Sequence, residues 1–551
     1  MGHGDPGADV SVGWRERLPL ALLALAMVLS VWLGLSLNSV MTFYADEWDP
    51  LLSRSGWGLD QIFAPFNGHP TMIPMAIYKT VQEVFGMDSA RPIQAIHAVL
   101  LLLMNGALFL YLRRRVGDWA ALIGTVMVLF LGAAFEILLY SFAMNFTGAI
   151  AVGIGALVAL DRDDRKGDIA ASFLLLVGVF FSMVIVPFIV AVAAEWALNP
   201  RDRRGRIFVP GVSLGVLMVW WLVWGQNSDE STVAVSNFLL LPGTAFDAIG
   251  SGFTSLFGLA TGYGNEPSQP NLIWGKVMAI VAVAIAWWRI KVIGSPPRGF
   301  LVVAAGLLTY LLLLGMSLSD QRQPTFSRFQ LPLVIFILMI ASTLLEGIRI
   351  GAAWLVAGTV VAALSINAGI GLMRERVEER WEPAGLYVRT WLTGTELAGA
   401  DALPARELQL RMPVMVGVGD YLDASERYGS PALNRSEISA LEPAELTWVD
   451  GGFINASGAG LDADPPASKP STCRPAAAAP IELKPGRYRV ENETKGEVTV
   501  LVARLGPTPG TNTGAVLPGS AAGLNLPAGE LAEPWQVSFE PGAGRIRLCG
   551  S

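Results

Sequence analysis

A polytopic α-helical membrane protein carrying a mainly β domain outside the membrane at its C-terminus is the fold class this chain predicts. Three observations predict it. Apolar runs of bilayer-spanning length recur through residues 18–372. Charge is sparse, at 15% of 551 residues against 52% hydrophobic, and the mean hydropathy is +0.48. After Met373 the pattern changes to short alternating segments punctuated by Pro and Gly, as β-strands and turns require. The formal charge of −7, with no basic block anywhere, excludes nucleic acid as a partner. Only seven of the 39 basic residues are Lys, which together with abundant Ala and Gly points to a GC-rich genome.

Short loops rich in Lys or Arg stay cytoplasmic, so the apolar runs can be threaded in order. Arg15 and Arg17 place the N-terminus inside. The run Leu18 to Val40 is long and lacks an Ala-x-Ala end, so it reads as a retained first helix and not a cleaved signal. Ile93 to Leu112 returns to Arg113, Arg114 and Arg115. Trp119 to Phe135 goes out, and Phe146 to Leu160 comes back to DRDDRKGD. Ile169 to Leu198 is basic at both ends, the far one carrying Arg201, Arg203, Arg204 and Arg206. Two short helices meeting near Ser182 to Pro187 satisfy both ends, each reaching only about 21 Å. Spans at Ile207 to Trp224, Ile273 to Trp288, Phe300 to Leu318, Phe329 to Leu345 and Ala352 to Leu372 complete about eleven crossings of the plasma membrane. Residues 1–372 then form the transmembrane domain and residues 373–551 the extracytoplasmic one.

Three outer segments are too long for plain connections: 41–92, 225–272 and everything past 373. In the first, TMIPMAIYKTVQEVFGM sets Ile73, Ile77, Val81, Val84 and Phe85 at helical spacing against Lys79, Gln82 and Glu83, which predicts an amphipathic helix lying in the interface. In the last, RERVEERWEPAGLYVRTWLTG reads as a charged helix. IELKPGRYRVENE, GEVTVLVARLG and PWQVSFEPGAGRIRLCG predict an antiparallel β-sandwich, and the Ala/Pro-rich DADPPASKPSTCRPAAAAP reads as a surface loop. Cys473 and Cys549 both fall in this domain, where a disulfide would persist; two unpaired buried thiols are the alternative.

The chemistry candidates lie on the outer loops. FYADEWDP sets Asp46, Glu47 and Asp49 about one helical turn beyond the first span. Such acids can serve as a general base or hold a divalent metal, or they can be ordinary surface acid at a helix end. PFNGHP adds Asn67 and His69 on the same loop, where a lone His is as readily a solvated residue as a site. His97, near the outer end of the second span, is either a core residue or lines the same cavity. SLSDQRQPTFSRFQLP places Arg322 and Arg328 outside, against the positive-inside trend, and Arg binds phosphate oxygens bidentately. Snorkelling to lipid headgroups is the other reading of these two, as it is of Lys79 and Arg91.

An acid pair just past the first span, an amphipathic helix in the first outer loop, a late Arg-bearing loop and a C-terminal outer domain together resemble GT-C fold integral-membrane glycosyltransferases. FYADEWDP and NGHP are similar to the acidic-aromatic and Asn-Gly-His segments of bacterial members. The resemblance covers roughly residues 15–372. It implies a polyprenyl-phosphate sugar donor, a cell-envelope glycan or lipid-linked acceptor, and transfer at the extracytoplasmic face. By that likeness Asp46 matches the catalytic base, with Glu47 the immediate alternative. Arg322 and Arg328 match the donor-phosphate binders, and Asn67, His69 and Asp49 line the acceptor or donor pocket. The second outer loop carries no Asp-x-Asp, so the metal-dependent oligosaccharyltransferase pattern is not matched. No cofactor is required, and a divalent metal at Asp46, Glu47 and Asp49 stays an open alternative. A flippase of lipid-linked saccharides is a rival, although few charges fall inside the spans and no inverted repeat is evident. A non-catalytic envelope scaffold that binds carbohydrate through its β domain is another.

Overall fold

The computed structural model describes residues 8–54, 56–199, 206–227, 234–260, 270–320, 322–408, 410, 416–462, 472–476, 479–540 and 545–550. Arg201, Arg203 and Arg204, together with most of the Ala/Pro-rich stretch, lie outside these residues. The chain divides into two compact units. One comprises Met1–Ser39, Gly56–Ile77 and Arg91–Glu379; the other comprises Val40–Ser55, Tyr78–Ala90 and Arg380–Ser551.

The first unit is helical: α1 (Ala8–Leu37), the first half of α2 (Met72–Phe85), α3 (Arg91–Val116), α4 (Asp118–Leu129), α5 (Met144–Leu160), α6 (Arg165–Val179), α7 (Val186–Leu198), α8 (Phe208–Val223), α9 (Leu241–Leu256), α10 (Pro270–Ile293), α11 (Arg298–Met316), α12 (Ser327–Leu345) and α13 (Ala352–Arg376). Val28 and Trp32 on α1, Val283 and Trp287 on α10, and Trp354 on α13 are between 64% and 76% exposed. Large apolar side chains displayed in such numbers on long helices need lipid around them, and the unit is membrane-embedded.

Among the described residues, six helices are long and apolar enough to cross a bilayer: Arg17–Val40, Arg91–Val116, Ser141–Leu160, Arg298–Met316, Ser327–Leu345 and the helix that begins at Ala352. A bent pair, Asp118–Leu129 and Gly132–Leu139 at 45°, makes a seventh if it counts as one span. The expected number of about eleven is therefore not reached by length and hydropathy. Part of the difference lies in runs that fold short, while α10, with 24 residues, is long but not among the six. The Ile169 to Leu198 run breaks at Phe180–Ser182 into α6 and α7, of 15 and 13 residues, and α8 has 16. At 1.5 Å per residue these reach about 20–24 Å, less than the ~30 Å hydrocarbon core.

Several basic residues at helix ends, among them Arg114, Arg115 and Arg206 that guided the threading, are paired with acids. Arg114 and Arg115 meet Asp161 at 3.2 and 3.0 Å, Arg206 grips Asp168 through two nitrogens, and Arg298 meets Glu195.

The second unit joins helices to two larger sheets and a two-stranded antiparallel pair, Glu407–Leu408 with Val416–Gly417. Its helices are α14 (Glu382–Ala398), α15 (Val418–Tyr428) and α16 (Pro443–Ser457). Its strands are β1 (Gly460–Asp462), β2 (Thr472–Pro475), β3 (Ile481–Leu483), β4 (Gly486–Asn492), β5 (Val498–Ala503), β6 (Thr511–Val516), β7 (Ala521–Leu526), β8 (Trp535–Glu540) and β9 (Ile546–Gly550). One sheet has the order β3-β8-β5-β6, the other β1-β7-β4-β9-β2, and every pairing is antiparallel. The alternation read from the sequence decides which face is buried: Val490 and Leu548 face inward from one sheet, Val502 and Val537 from the other. Cys473 and Cys549 stand opposite each other on β2 and β9 and are disulfide-bonded, as one of the two readings expected.

α14 and α16 cross with their backbones in contact. A Cβ on Gly394 would lie 2.0 Å from the Val449 carbonyl oxygen, and one on Gly452 would lie 2.2 Å from that of Trp391. Neither neighbour is a side chain that can swing away. Gly394→Ala should therefore cost about 1–3 kcal/mol or more through backbone displacement. Gly496→Ala, which points into open space, should cost much less. Melting temperatures of the two variants check this.

Candidate functional site

The acid cluster belongs to the second unit. After Phe43 the chain makes a tight turn at Ala45–Glu47 and a wider π-helical turn at Asp49–Ser53. Ala45 sits at φ +46°, a left-handed conformation that costs a non-glycine residue of the order of 1 kcal/mol. Such strain persists only where surroundings hold it, and here they do. Trp48 is fully buried and meets Phe43 and Tyr421 edge-on at 5.8 and 6.2 Å, while Tyr44 lies 5.8 Å from Trp381.

The three carboxylates have different surroundings. Glu47 is 2% exposed; its Oε1 accepts from the Tyr78 hydroxyl at 2.5 Å and its Oε2 from the Tyr44 N–H at 2.7 Å. Burial pushes its pKa up to about 8, the two hydrogen bonds oppose that rise, and the Asp46 charge adds to it. Asp49 pairs with Arg54 at 2.8 Å. Burial raises its pKa, against the pull of Arg54 and Lys79. Asp46 is partly exposed. The three do not gather their oxygens into a metal-ligand cluster among the described residues, because Glu47 and Asp49 are turned toward separate protein partners. The one such grouping found is Cys473, Glu491 and Cys549, whose sulfurs are bonded to each other.

Lys79 and Gln82 correct the expected helix. The element is there as α2, but these two polar residues are 2% and 6% exposed while Val84 and Phe85 are 66% and 63% exposed. Their task is internal. Lys79 donates to the Arg54 carbonyl and Gln82 to the Leu51 carbonyl at 2.9 Å, satisfying backbone acceptors of the irregular turn. Tyr78, one residue earlier, reaches Glu47, so a single helical face holds the acid turn.

Asn67, His69, Arg322 and Arg328 belong to the first unit. Phe66 and His69 exchange both backbone hydrogen bonds, at 3.0 and 2.8 Å, across Asn67 and Gly68, whose φ values are +49° and +74°. This is the two-residue turn that Asn-Gly favours, because both central positions need positive φ. Asn67 is exposed at its tip, and His69 Nδ1 lies 3.3 Å from the hydroxyl of buried Ser182. Burial, with the Arg322 charge second, pushes the His69 pKa down to about 4. Arg322 and His69 are thus electrostatic neighbours. Arg328 lies over the rings of Phe326 and Phe329, at 5.6 and 5.4 Å.

Gln330, which sequence reasoning passed over, anchors this loop. Its Oε1 accepts from the Ser251 and Ser255 hydroxyls at 2.9 and 3.1 Å, and its Nε2 donates to the carbonyls of Pro324 and Phe326, both at 3.0 Å. The side chain is 1% exposed and fully satisfied. Gln330→Leu would remove the partner of the Ser251 and Ser255 hydroxyls and of the Pro324 carbonyl in an apolar interior, while the Phe326 carbonyl keeps its bond from the Phe329 N–H. We expect a loss of about 2–4 kcal/mol and faster tryptic cleavage after Arg322, read by limited digestion of the folded protein. No sequence signal marks Gln330, whereas Asn-Gly in PFNGHP does mark the turn.

Comparison of the chain with protein-family models, with curated proteins and with solved structures finds no match.

Proposed function

We propose that this protein is a membrane glycosyltransferase that moves a sugar from a polyprenyl-phosphate donor to a cell-envelope glycan or glycolipid at the extracytoplasmic face. The observation that carries the reading is the division of roles within FYADEWDP. Glu47 is buried and bonded to Tyr78 and Tyr44, Asp49 pairs with Arg54, and Asp46 is a partly exposed carboxylate beside a strained residue.

In this mechanism Asp46 takes the proton from an acceptor hydroxyl. The resulting oxygen attacks the anomeric carbon as the bond to the polyprenyl phosphate breaks. Arg322 and Arg328, which the likeness assigns to the donor phosphate, meet the charge that builds on the departing oxygens. His69, kept neutral by its surroundings, adds no charge of its own and hydrogen-bonds sugar hydroxyls. Asn67, on the same turn as His69, is assigned to the donor or acceptor by the same likeness. A lipid leaving group removes any need for a cytosolic nucleotide.

The test is an assay of purified protein with a panel of polyprenyl-phosphate sugars and a lipid-linked glycan acceptor. Release of polyprenyl phosphate coupled to glycan elongation is expected for at least one donor. No release with any donor and acceptor, from protein shown to be folded, would overturn the reading.

A further inference from the structure

An open groove, about 550 Å³ only when the solvent space at its mouth is counted, runs between α1, α3 and the broken helix pair that follows α3. All of it lies in the first unit. Its polarity changes along its length. Asn38, Gln94 and His97 line one end, and Ala98, Leu101, Leu102 and Phe130 line the rest. At the polar rim Arg91 donates to the Leu35 carbonyl at 2.6 Å and approaches Gln94 Oε1 at 3.4 Å.

Two buried polar atoms at that end have no hydrogen-bond partner among the described residues: His97 Nε2 and Asn38 Oδ1, on side chains 2% and 5% exposed. The rest of the polar end is satisfied. Asn38 Nδ2 donates to the Leu139 carbonyl at 2.8 Å, and Gln94 Nε2 to the Asn38 carbonyl at 3.2 Å. An unpaired buried polar group costs about 1–3 kcal/mol, so two at one mouth point to an occupant.

The surroundings decide what kind. α1 and α3 are both long enough to span a bilayer, and their outward side chains next to the groove, Trp32, Val99 and Leu103, are 64%, 55% and 58% exposed. Hydrocarbon, not water, bathes the groove's flank. We propose that the groove binds one membrane glycerophospholipid with an anionic, hydroxyl-bearing headgroup. One acyl chain lies along Ala98, Leu101 and Leu102. A headgroup hydroxyl donates to Asn38 Oδ1 and bonds His97 Nε2, and the phosphate faces Arg91. The orientation follows the polarity gradient, which matches that of a lipid standing in its leaflet. The inference does not depend on the glycosyl-transfer reading.

Native mass spectrometry of the full-length protein, purified in detergent and titrated with phosphatidylglycerol or phosphatidylcholine, tests it. Wild-type protein should retain one phosphatidylglycerol, and that lipid should raise its melting temperature. Phosphatidylcholine, which lacks the headgroup hydroxyl and the net charge, should be retained about tenfold less. His97→Leu, which removes an unpaired polar atom and should fold without lipid, should lower phosphatidylglycerol retention about tenfold. Gly34→Leu places a side chain in the groove from a position where a Cβ meets nothing within 4 Å, and should abolish retention. Equal retention of the two lipids, or wild-type retention of phosphatidylglycerol by either variant, would overturn the proposal. If His97→Leu fails to fold, Gly34→Leu decides.

Discussion

Asp46→Asn should lower sugar transfer by about 10²–10⁴-fold, the usual contribution of a positioned general base, while the protein stays folded and inserted. Asparagine keeps the size and one carbonyl acceptor of the side chain but cannot take a proton. The neighbouring carboxylates cannot substitute. Glu47 is buried, with both oxygens accepting hydrogen bonds, and Asp49 is held by Arg54. The comparison variant is Glu47→Gln, which should retain at least a tenth of wild-type transfer, because Glu47 supports the turn and does not touch substrate. Initial rates with saturating donor, alongside melting temperatures, make the comparison. Near-normal transfer by Asp46→Asn, together with loss in Glu47→Gln, would move the base to Glu47.

How much of this was legible in the sequence depends on the kind of signal. Hydropathy runs and basic ends exposed the helical unit, because a bilayer filters composition over about twenty residues. The same windows do not register helix length, and α6, α7 and α8 are apolar but only 15, 13 and 16 residues long. Alternation revealed β3, β4, β5, β8 and β9, yet missed β1, β2, which lies inside the stretch read as a surface loop, and β6 and β7, whose TNTGAV and AAGLNL are too rich in small and polar residues to show a period of two.

The acid turn was found by composition, but its partners were not. Lys79 and Gln82 looked like the wet side of an amphipathic helix, and only the fold reveals that the irregular backbone at Leu51 and Arg54 needs their donors. For the same reason the grouping of residues 40–55 and 78–90 with residues 380–551 was invisible to threading, which follows the chain and not its contacts. Tyr421 meeting Trp48 across more than 370 positions leaves no local trace.

Stability of the second unit should fall as pH rises from about 4.5 to about 8, and Glu47→Gln should remove that slope. The sign follows from proton counts. Glu47 titrates near 4.5 when unfolded and at about 8 in the fold, so between those values the native state holds a proton that the unfolded state has released. The contribution is complete below about 4.5 and is lost progressively as pH passes through the folded value, at up to roughly 1.4 kcal/mol per pH unit. His69 acts in the opposite direction on the first unit. Its folded pKa of about 4 lies below the unfolded 6.5, so its contribution is present above 6.5 and is lost as pH falls toward 4. Across pH 5 to 9 the second unit's melting transition should therefore decline as pH rises toward 8, and the first unit's as pH falls below 6.5. The alkaline limb should disappear in Glu47→Gln and the acid limb in His69→Asn. Persistence of the alkaline slope in Glu47→Gln would mean that Glu47 is ionised in the fold. Asp46 would then lie beside a buried negative charge, and the separation of roles between the two carboxylates would fail.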